Sequence, residues 1–290
     1  MGRRYDTVSF LSDFGTADEF VGVVHSVIRD LAPHARVIDL THGVAPFDVR
    51  AGSLALARSI SYVASGVVLA VVDPGVGTHR RAIAVEVADG DGVLVGPDNG
   101  LLAPAVALAG GAGRAVELDK VEYHLPSPGA TFAGRDVFAP VAAQLCNGVD
   151  LSELGTAIDA DLLLPGVVAL PQADDHTVLA QVLWVDRYGN AQLNVGPDDL
   201  PTVFGQRIDV RASAPGDPTG GVVRSATRAN SYAEIGGGAI GLVLDSSGLL
   251  ALAMDQRSVC EELGLDVGDQ VTLTASDDAG ITQSVTLRRS

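Results

Sequence analysis

The sequence predicts an α/β protein in which a mainly parallel, helix-covered sheet comes first and a smaller all-β domain, barrel or sandwich, follows. Three observations carry this. Over the first 165 residues short apolar runs alternate with helical patterns. Among them Val67 to Val72 is an unbroken apolar run, as expected of a strand buried on both faces. After about residue 176 the pattern changes to short β-rich runs punctuated by glycine. Between the two, Leu164 to Asp175 holds Pro165, Gly166 and Pro171 with no hydrophobic period. That sets the domains at 1–165 and 176–290, with a linker at 166–175.

The elements follow in order. Thr7 to Leu11 is a strand, and the turn Ser12-Asp-Phe-Gly15 leads toward a helix whose start, Thr16-Ala-Asp-Glu19, fits a capping box. Phe20, Val23, Val24, Val27, Ile28 and Leu31 form one apolar helical face that stops at Pro33. Val37 to Leu40 is the next strand. Asp48 caps a second helix, expected to run to about Ala64, and Val67 to Val72 and Val93 to Val95 complete the parallel strands. In the second domain, strands are expected around Thr177–Val185, Ala191–Asn194, Arg207–Arg211, Ala239–Leu244, Leu249–Ala253 and Gln270–Thr274. Gly236-Gly-Gly-Ala-Ile-Gly241 matches a dinucleotide fingerprint formally, but it leads into a β-like run and so reads as a glycine turn.

Composition narrows the function. The chain has 290 residues, 36 acidic against 19 basic, for a net charge of −17. A surface of that sign repels a phosphate backbone, so nucleic acid is not an expected partner. Lys120 is the single lysine, which excludes a Gly-Lys-Ser/Thr phosphate loop. Cys146 and Cys260 are too few and too far apart for a disulfide framework. The six histidines include no His-x-x-x-His pair and no Cys-His cluster, so no metal site is expected from spacing. With neither a signal-like stretch nor a run of about 18 apolar residues, a cytoplasmic protein without membrane contact is expected.

In parallel sheets, ligands bind at the carboxyl ends of the strands. Three acidic or glycine-rich turns fall at such ends: Ser12-Asp-Phe-Gly15, Asp73-Pro-Gly-Val-Gly-Thr-His-Arg80 and Gly96-Pro-Asp-Asn-Gly100. Together with Thr131-Phe-x-Gly-Arg-Asp136 and Asp186-x-Tyr-Gly-Asn190, in this order, they resemble the S-adenosylmethionine (SAM) hydroxide adenosyltransferases, SAM hydrolases related to SAM-dependent fluorinating and chlorinating enzymes. The resemblance implies an N-terminal αβα domain and a C-terminal β-barrel-like domain. It also implies a homotrimer with sites between the first domain of one subunit and the second domain of its neighbour.

It further implies SAM as substrate, without a cofactor, and adenosine and L-methionine as products. Asp13 suits the ribose diol, because a carboxylate accepts hydrogen bonds from both hydroxyls. Asp18 and Asn190 match positions that hold the methionine end, with Asp186 and Ser246 in the same region. Phe47, Tyr188 and Tyr232 are candidates for stacking on adenine or walling the pocket. Thr131 and Phe132 belong to the same motif.

For water activation the family uses an Asp-Arg-His set. Asp73 and Arg80 match its first two positions; as residue types alone, such a pair can hold water or be structural. The third position, a histidine in Thr-Phe-His-Gly-Arg-Asp, is Ala133 here. An impaired hydrolase is therefore expected, with an inactive SAM- or adenosine-binding protein as the alternative. A halogenase fits less well, since Asp73 and Val76 stand where those relatives use a tyrosine and a hydroxyl-bearing residue, and a carboxylate repels a halide.

Overall fold

The computed structural model describes residues 4–213 and 221–276. The chain divides into two compact units, Met1–Val167 and Val168–Ser290. Among the described residues no helix is long and apolar enough to cross a membrane.

The first unit contains, in order, β1 (Thr7–Ser12), α1 (Phe20–Leu31), β2 (Arg36–Thr41), α2 (Val49–Ile60), β3 (Gly66–Val71), β4 (Ala82–Val87), β5 (Gly92–Pro97), α3 (Ala103–Leu108), β6 (Ala115–Glu117), a π-helical turn (Gly134–Phe138), α4 (Ala139–Asn147) and β7 (Thr156–Ile158). Its seven-stranded sheet has the order β2-β1-β3-β5-β4-β6-β7. The strands β2, β1, β3 and β5 run parallel, and β4, β6 and β7 join antiparallel. Because side chains alternate between faces along a strand, β3 feeds two cores. Val67, Leu69 and Val71 pack with Val24 and Ile28 of α1 and Val141 and Leu145 of α4. Val68 and Ala70 pack with Leu56 of α2 and Ala105 of α3. The result is an αβα sandwich, and all six residues of β3 are buried, as its unbroken apolar run requires.

Two helix boundaries differ from the sequence expectation. The capping box at Thr16–Glu19 does not form: the N-cap of α1 is Glu19, with no side-chain cap. Thr16 sits four residues before Phe20, in exposed bends, outside the single position from which a hydroxyl reaches the N2 or N3 amide. Asp48 does cap α2, accepting from the Ala51 amide at 2.8 Å, but α2 ends at Ile60 rather than near Ala64. The chain must turn there to enter β3 through Gly66. That residue has φ +153°, and a Cβ on it would lie 2.5 Å from the Thr7 carbonyl oxygen, so the close approach of β1 and β3 requires glycine.

The second unit contains β8 (Gln172–Ala173), β9 (Thr177–Val185), β10 (Ala191–Leu193), β11 (Arg207–Ser213), β12 (Val222–Ala229), β13 (Ile240–Leu244), β14 (Leu250–Ala253), α5 (Val259–Leu263) and β15 (Gln270–Ala275). Strands pair in the order β10-β14-β13-β12-β11-β15-β9, and β9 pairs back onto β10. That last pairing decides between barrel and sandwich: seven strands close into a barrel, with β8 added outside β9. Alternate residues fill it, including Val178, Ala180 and Val182 of β9 with Ile208 and Val210 of β11. Gly236 to Gly241 forms a turn into β13, with Gly238 at φ +77°, so a strand and not a helix follows the glycines and the segment lacks the βα turn of a dinucleotide fingerprint.

Candidate active site

In the first unit β1, β3 and β5 are parallel neighbours, so the turns at their carboxyl ends share one edge of the sheet. Backbone and side-chain bonds lock them together. Gly15 N donates to the His42 carbonyl at 2.8 Å, and Asn99 Nδ2, after β5, donates to the Val72 carbonyl, after β3, at 2.9 Å. Asp13 follows β1, and its Oδ2 accepts from the Phe47 amide at 2.9 Å. Phe47 is held at φ +69°, with 73% of the residue exposed. A large aromatic in the left-handed region and in water is strained and unburied, a combination that favours a ligand-facing role. Asp18 is exposed in the bends that precede α1.

After β3 the chain turns tightly, with Val76 N bonding Asp73 O and Thr78 N bonding Gly75 O, and this brings Arg80 back onto Asp73. Arg80 Nε lies 2.9 and 3.0 Å from the two carboxylate oxygens, and Nη2 also contacts Oδ2. Both side chains are largely buried, 5% exposed for Asp73 and 16% for Arg80, and the guanidinium carbon stands 5.2 Å from the Phe138 ring centroid. Arg81 does something else. It pairs with Asp98 after β5, Nε to Oδ2 at 2.9 Å, and donates to the Leu162 carbonyl at 2.7 Å. Asp98 in turn accepts from the Leu164 amide. Arg81 therefore anchors the segment after β7, and Arg80 is the arginine on Asp73.

Arg80 also lines a cleft of about 760 Å³, together with Gly77, His124, Ala133 and Asp136. Ala133 immediately precedes the π-helical turn Gly134–Phe138, a distortion often found at functional positions. Its neighbour Phe132 belongs to a cluster of three rings, 5.7 Å from Phe14 and 5.0 Å from Phe20 between centroids. Phe132 thus ties the Thr131–Asp136 segment to the turn after β1. Thr131 is exposed beside it. Asp136 is buried and bonded by Arg135 Nε at 2.6 Å.

In the second unit the Asp186-x-Tyr-Gly-Asn190 segment is a self-contained turn. Asp186 Oδ1 accepts from the Tyr188 and Asn190 amides at 2.8 and 2.9 Å, and its Oδ2 from Asn190 Nδ2 at 2.8 Å. Gly189 has φ +79°, and a Cβ there would collide with Ser258, so the turn cannot be made by another residue without moving α5's cap. Tyr188 is displayed at 76% exposure, whereas Asn190 is buried. The Tyr232 hydroxyl is pushed up from its ordinary value by burial, then by the charges of Asp186 and Asp245. Ser246 is exposed beside Asp245, which is fixed by the Ser247 and Leu249 amides.

Residues 8–155 match the model of the SAM hydroxide adenosyltransferase N-terminal domain, and residues 180–272 match that of the C-terminal domain. The chain belongs to the SAM hydroxide adenosyltransferase family. The chain is 42% identical over 271 residues to the (R)-S-adenosyl-L-methionine hydrolase of Salinispora tropica, covering 92% of this chain and 97% of that one. The corresponding hydrolase of Thermus thermophilus is 39% identical, covering 92% and 98%. A fluorinase of Actinoplanes is more distant, at 26% over 292 residues, covering 92% and 97%. An uncharacterized conserved protein from Thermotoga maritima shares the fold with a TM-score of 0.82 and 32% identity, covering 92% of this chain and 99% of that one.

Within this SAM hydroxide adenosyltransferase, one residue of the cleft escaped the sequence reading. His124 lies in an irregular segment nine residues before Ala133, where no spacing rule singles it out. It is half-buried in the cleft wall, and its Nε2 is buried with no hydrogen-bond partner. Burial pushes its pKa below the ordinary 6.5, against the opposing pull of Glu122 and Asp119, so the ring is neutral at neutral pH.

Proposed function

We propose that this chain hydrolyses SAM to adenosine and L-methionine, at a rate limited by Ala133. The observation that carries the reading is Arg80, paired with the buried Asp73 and lining a cleft together with Ala133, in a chain 42% identical to a SAM hydrolase. Water attacks C5′, its oxygen bonding to carbon as the C5′–S bond breaks, and the bonding pair leaves on sulfur as a neutral thioether. No general acid is needed. The demand falls on the nucleophile, which must lose a proton as it attacks. Asp73 would accept a hydrogen bond from that water, and Arg80 would favour its hydroxide-like form by charge.

The other roles follow the family resemblance. Asp13 takes the ribose diol, with its second duty of holding the Phe47 amide fixing the loop that presents the Phe47 ring. Asp18, Asn190, Asp186 and Ser246 take the methionine end, and Phe47, Tyr188 and Tyr232 the adenine. Thr131 and Phe132 form the wall that Ala133 continues. SAM is the substrate and no separate cofactor is invoked. The working assembly is a homotrimer whose subunits share sites, in the cytoplasm.

Replacing a general base by a methyl group costs roughly 10²–10⁴ in rate, while leaving the space open to ligand. Ala133 is also the observation that favours the second reading, a SAM- or adenosine-binding protein without turnover. Incubation with SAM, followed by chromatography for adenosine, tests both. Slow release of adenosine that accelerates in Ala133→His supports the hydrolase. Tight SAM binding by calorimetry with no product before or after the substitution supports the binding protein. Release of a 5′-halo-adenosine in chloride or fluoride would replace both with halogenation.

A further inference from the structure

His25 on α1, Asp39 on β2 and His42 just beyond β2 meet at a point the proposed reaction does not use. His25 Nε2 lies 2.8 Å and His42 Nε2 3.0 Å from the same oxygen, Asp39 Oδ1, and the three donor atoms all lie within 4.8 Å of one another. His25 makes a hydrogen bond to that oxygen. His42 does not. Its side chain is only 5% exposed, and its Nε2 is buried with no hydrogen-bond partner although it stands 3.0 Å from Asp39 Oδ1. A buried imidazole nitrogen left unpaired at 3.0 Å from a carboxylate is costly. The cost disappears if both atoms point at a shared cation.

We propose that His25, Asp39 and His42 form a binding site for a divalent transition metal of the zinc type. Two imidazole nitrogens and one carboxylate oxygen are the donor set such ions prefer. In a tetrahedral site with bonds of about 2.0–2.1 Å, neighbouring donors stand about 3.4 Å apart. The observed 2.8 and 3.0 Å to Asp39 therefore need to widen by roughly half an ångström, and the two imidazole nitrogens, within 4.8 Å of each other, settle to the same spacing. The outer contact is in place too: His42 Nδ1 lies 2.8 Å from the buried Ser12 Oγ, which fixes the ring so that Nε2 faces Asp39. Asp39 and His25 are 43% and 34% exposed, leaving an approach for the ion and a fourth position for water. The charge of −17 draws cations toward the molecule.

Such an ion would clamp α1 to the end of β2. Through Ser12 and the Gly15–His42 backbone bond it would also stiffen the turn that carries Asp13. The test uses the full chain stripped with chelator and titrated with Zn²⁺ by calorimetry and with Co²⁺ by visible absorption. One equivalent should bind, with the ligand-field bands of four-coordinate cobalt, and the melting temperature should rise with metal. His25→Gln and Asp39→Asn, both at partly exposed positions, should each weaken binding at least 100-fold, and Ser12→Ala about tenfold. His42→Gln is less informative because the buried ring supports the fold. No binding by the stripped protein, or equal binding by His25→Gln and Asp39→Asn, would overturn the site and leave the three residues as a hydrogen-bonded network. Neither readout depends on turnover of SAM.

Discussion

Arg80 and Asp73, seven residues apart in sequence, form an ion pair in which Nε reaches both carboxylate oxygens, while the adjacent Arg81 faces a different carboxylate, Asp98. Two neighbouring arginines of the same charge thus divide two tasks. The prediction is that they separate in experiment. In the Ala133→His background, where the proposal expects turnover fast enough to follow, Arg80→Gln should lower kcat by about 10²-fold or more. Arg81→Gln should leave kcat within a factor of about three and lower the melting temperature, because it unpairs a buried Asp98 and releases Leu162. Adenosine release and thermal melts measured side by side decide it.

Gly134 is where the Thr131–Asp136 segment passes the ring cluster. A Cβ there would lie 2.9 Å from Phe14 Cζ and 3.3 Å from Phe132 Cε2. Gly134→Ala should destabilise by about 1–2 kcal/mol through overpacking. The double variant Gly134→Ala/Phe14→Leu should recover part of that. Urea midpoints of the two variants and the parent check the prediction, and an unaltered midpoint in Gly134→Ala would contradict the packing.

His124 carries a pH signature. Its folded pKa lies below 6.5, so the unfolded chain binds the proton more readily. The stability it contributes is present above about pH 6.5 and is lost as pH falls through the folded value. The denaturation midpoint should fall from pH 7 to pH 5, and His124→Phe should fall less steeply over the same interval.

Asp150 behaves similarly at lower pH. The Ser152 hydroxyl and amide, followed by Arg114, hold its carboxyl at about 2. The sign is the usual carboxylate one: its stabilisation is full above about pH 4 and is lost as pH falls from there toward 2. Asp150→Ala removes the side-chain half of a capping box with Glu153 and should cost about 1 kcal/mol at pH 7, with a shallower acid limb. Acid titration of the melting temperature of both proteins tests this.

The strands and helices from β1 to β3 were legible because each carries its own period or an unbroken apolar run. The antiparallel half of the sheet was not. The strands β6 and β7 have three residues each, too few to show a period, and they exist through pairing with β4 and with each other. The strand β12 was missed as well, and barrel closure rests on β9 meeting β10 across a register irregularity that no local pattern announces. The Asp73–Arg80 pair was named from the family motif, not from the turn, although Pro74, Gly75 and Gly77 supply the tight turn that brings its members together. Motif spacing favoured Arg80 over Arg81 for Asp73, and side-chain direction agrees, whereas the meeting of His25 with Asp39 and His42 depended on packing α1 beside β2 and could not be read from spacing.

The ring of seven strands has a consequence for how the second unit can associate. A closed circuit of backbone pairing leaves only short open flanks among the described residues, such as the two-residue β8 and the first four residues of β12, which pair with β11 alone, so another chain finds little edge for strand addition. Whatever docks on this unit must recognise loops and projecting side chains such as Tyr188. The same geometry deprives fibril growth of a template.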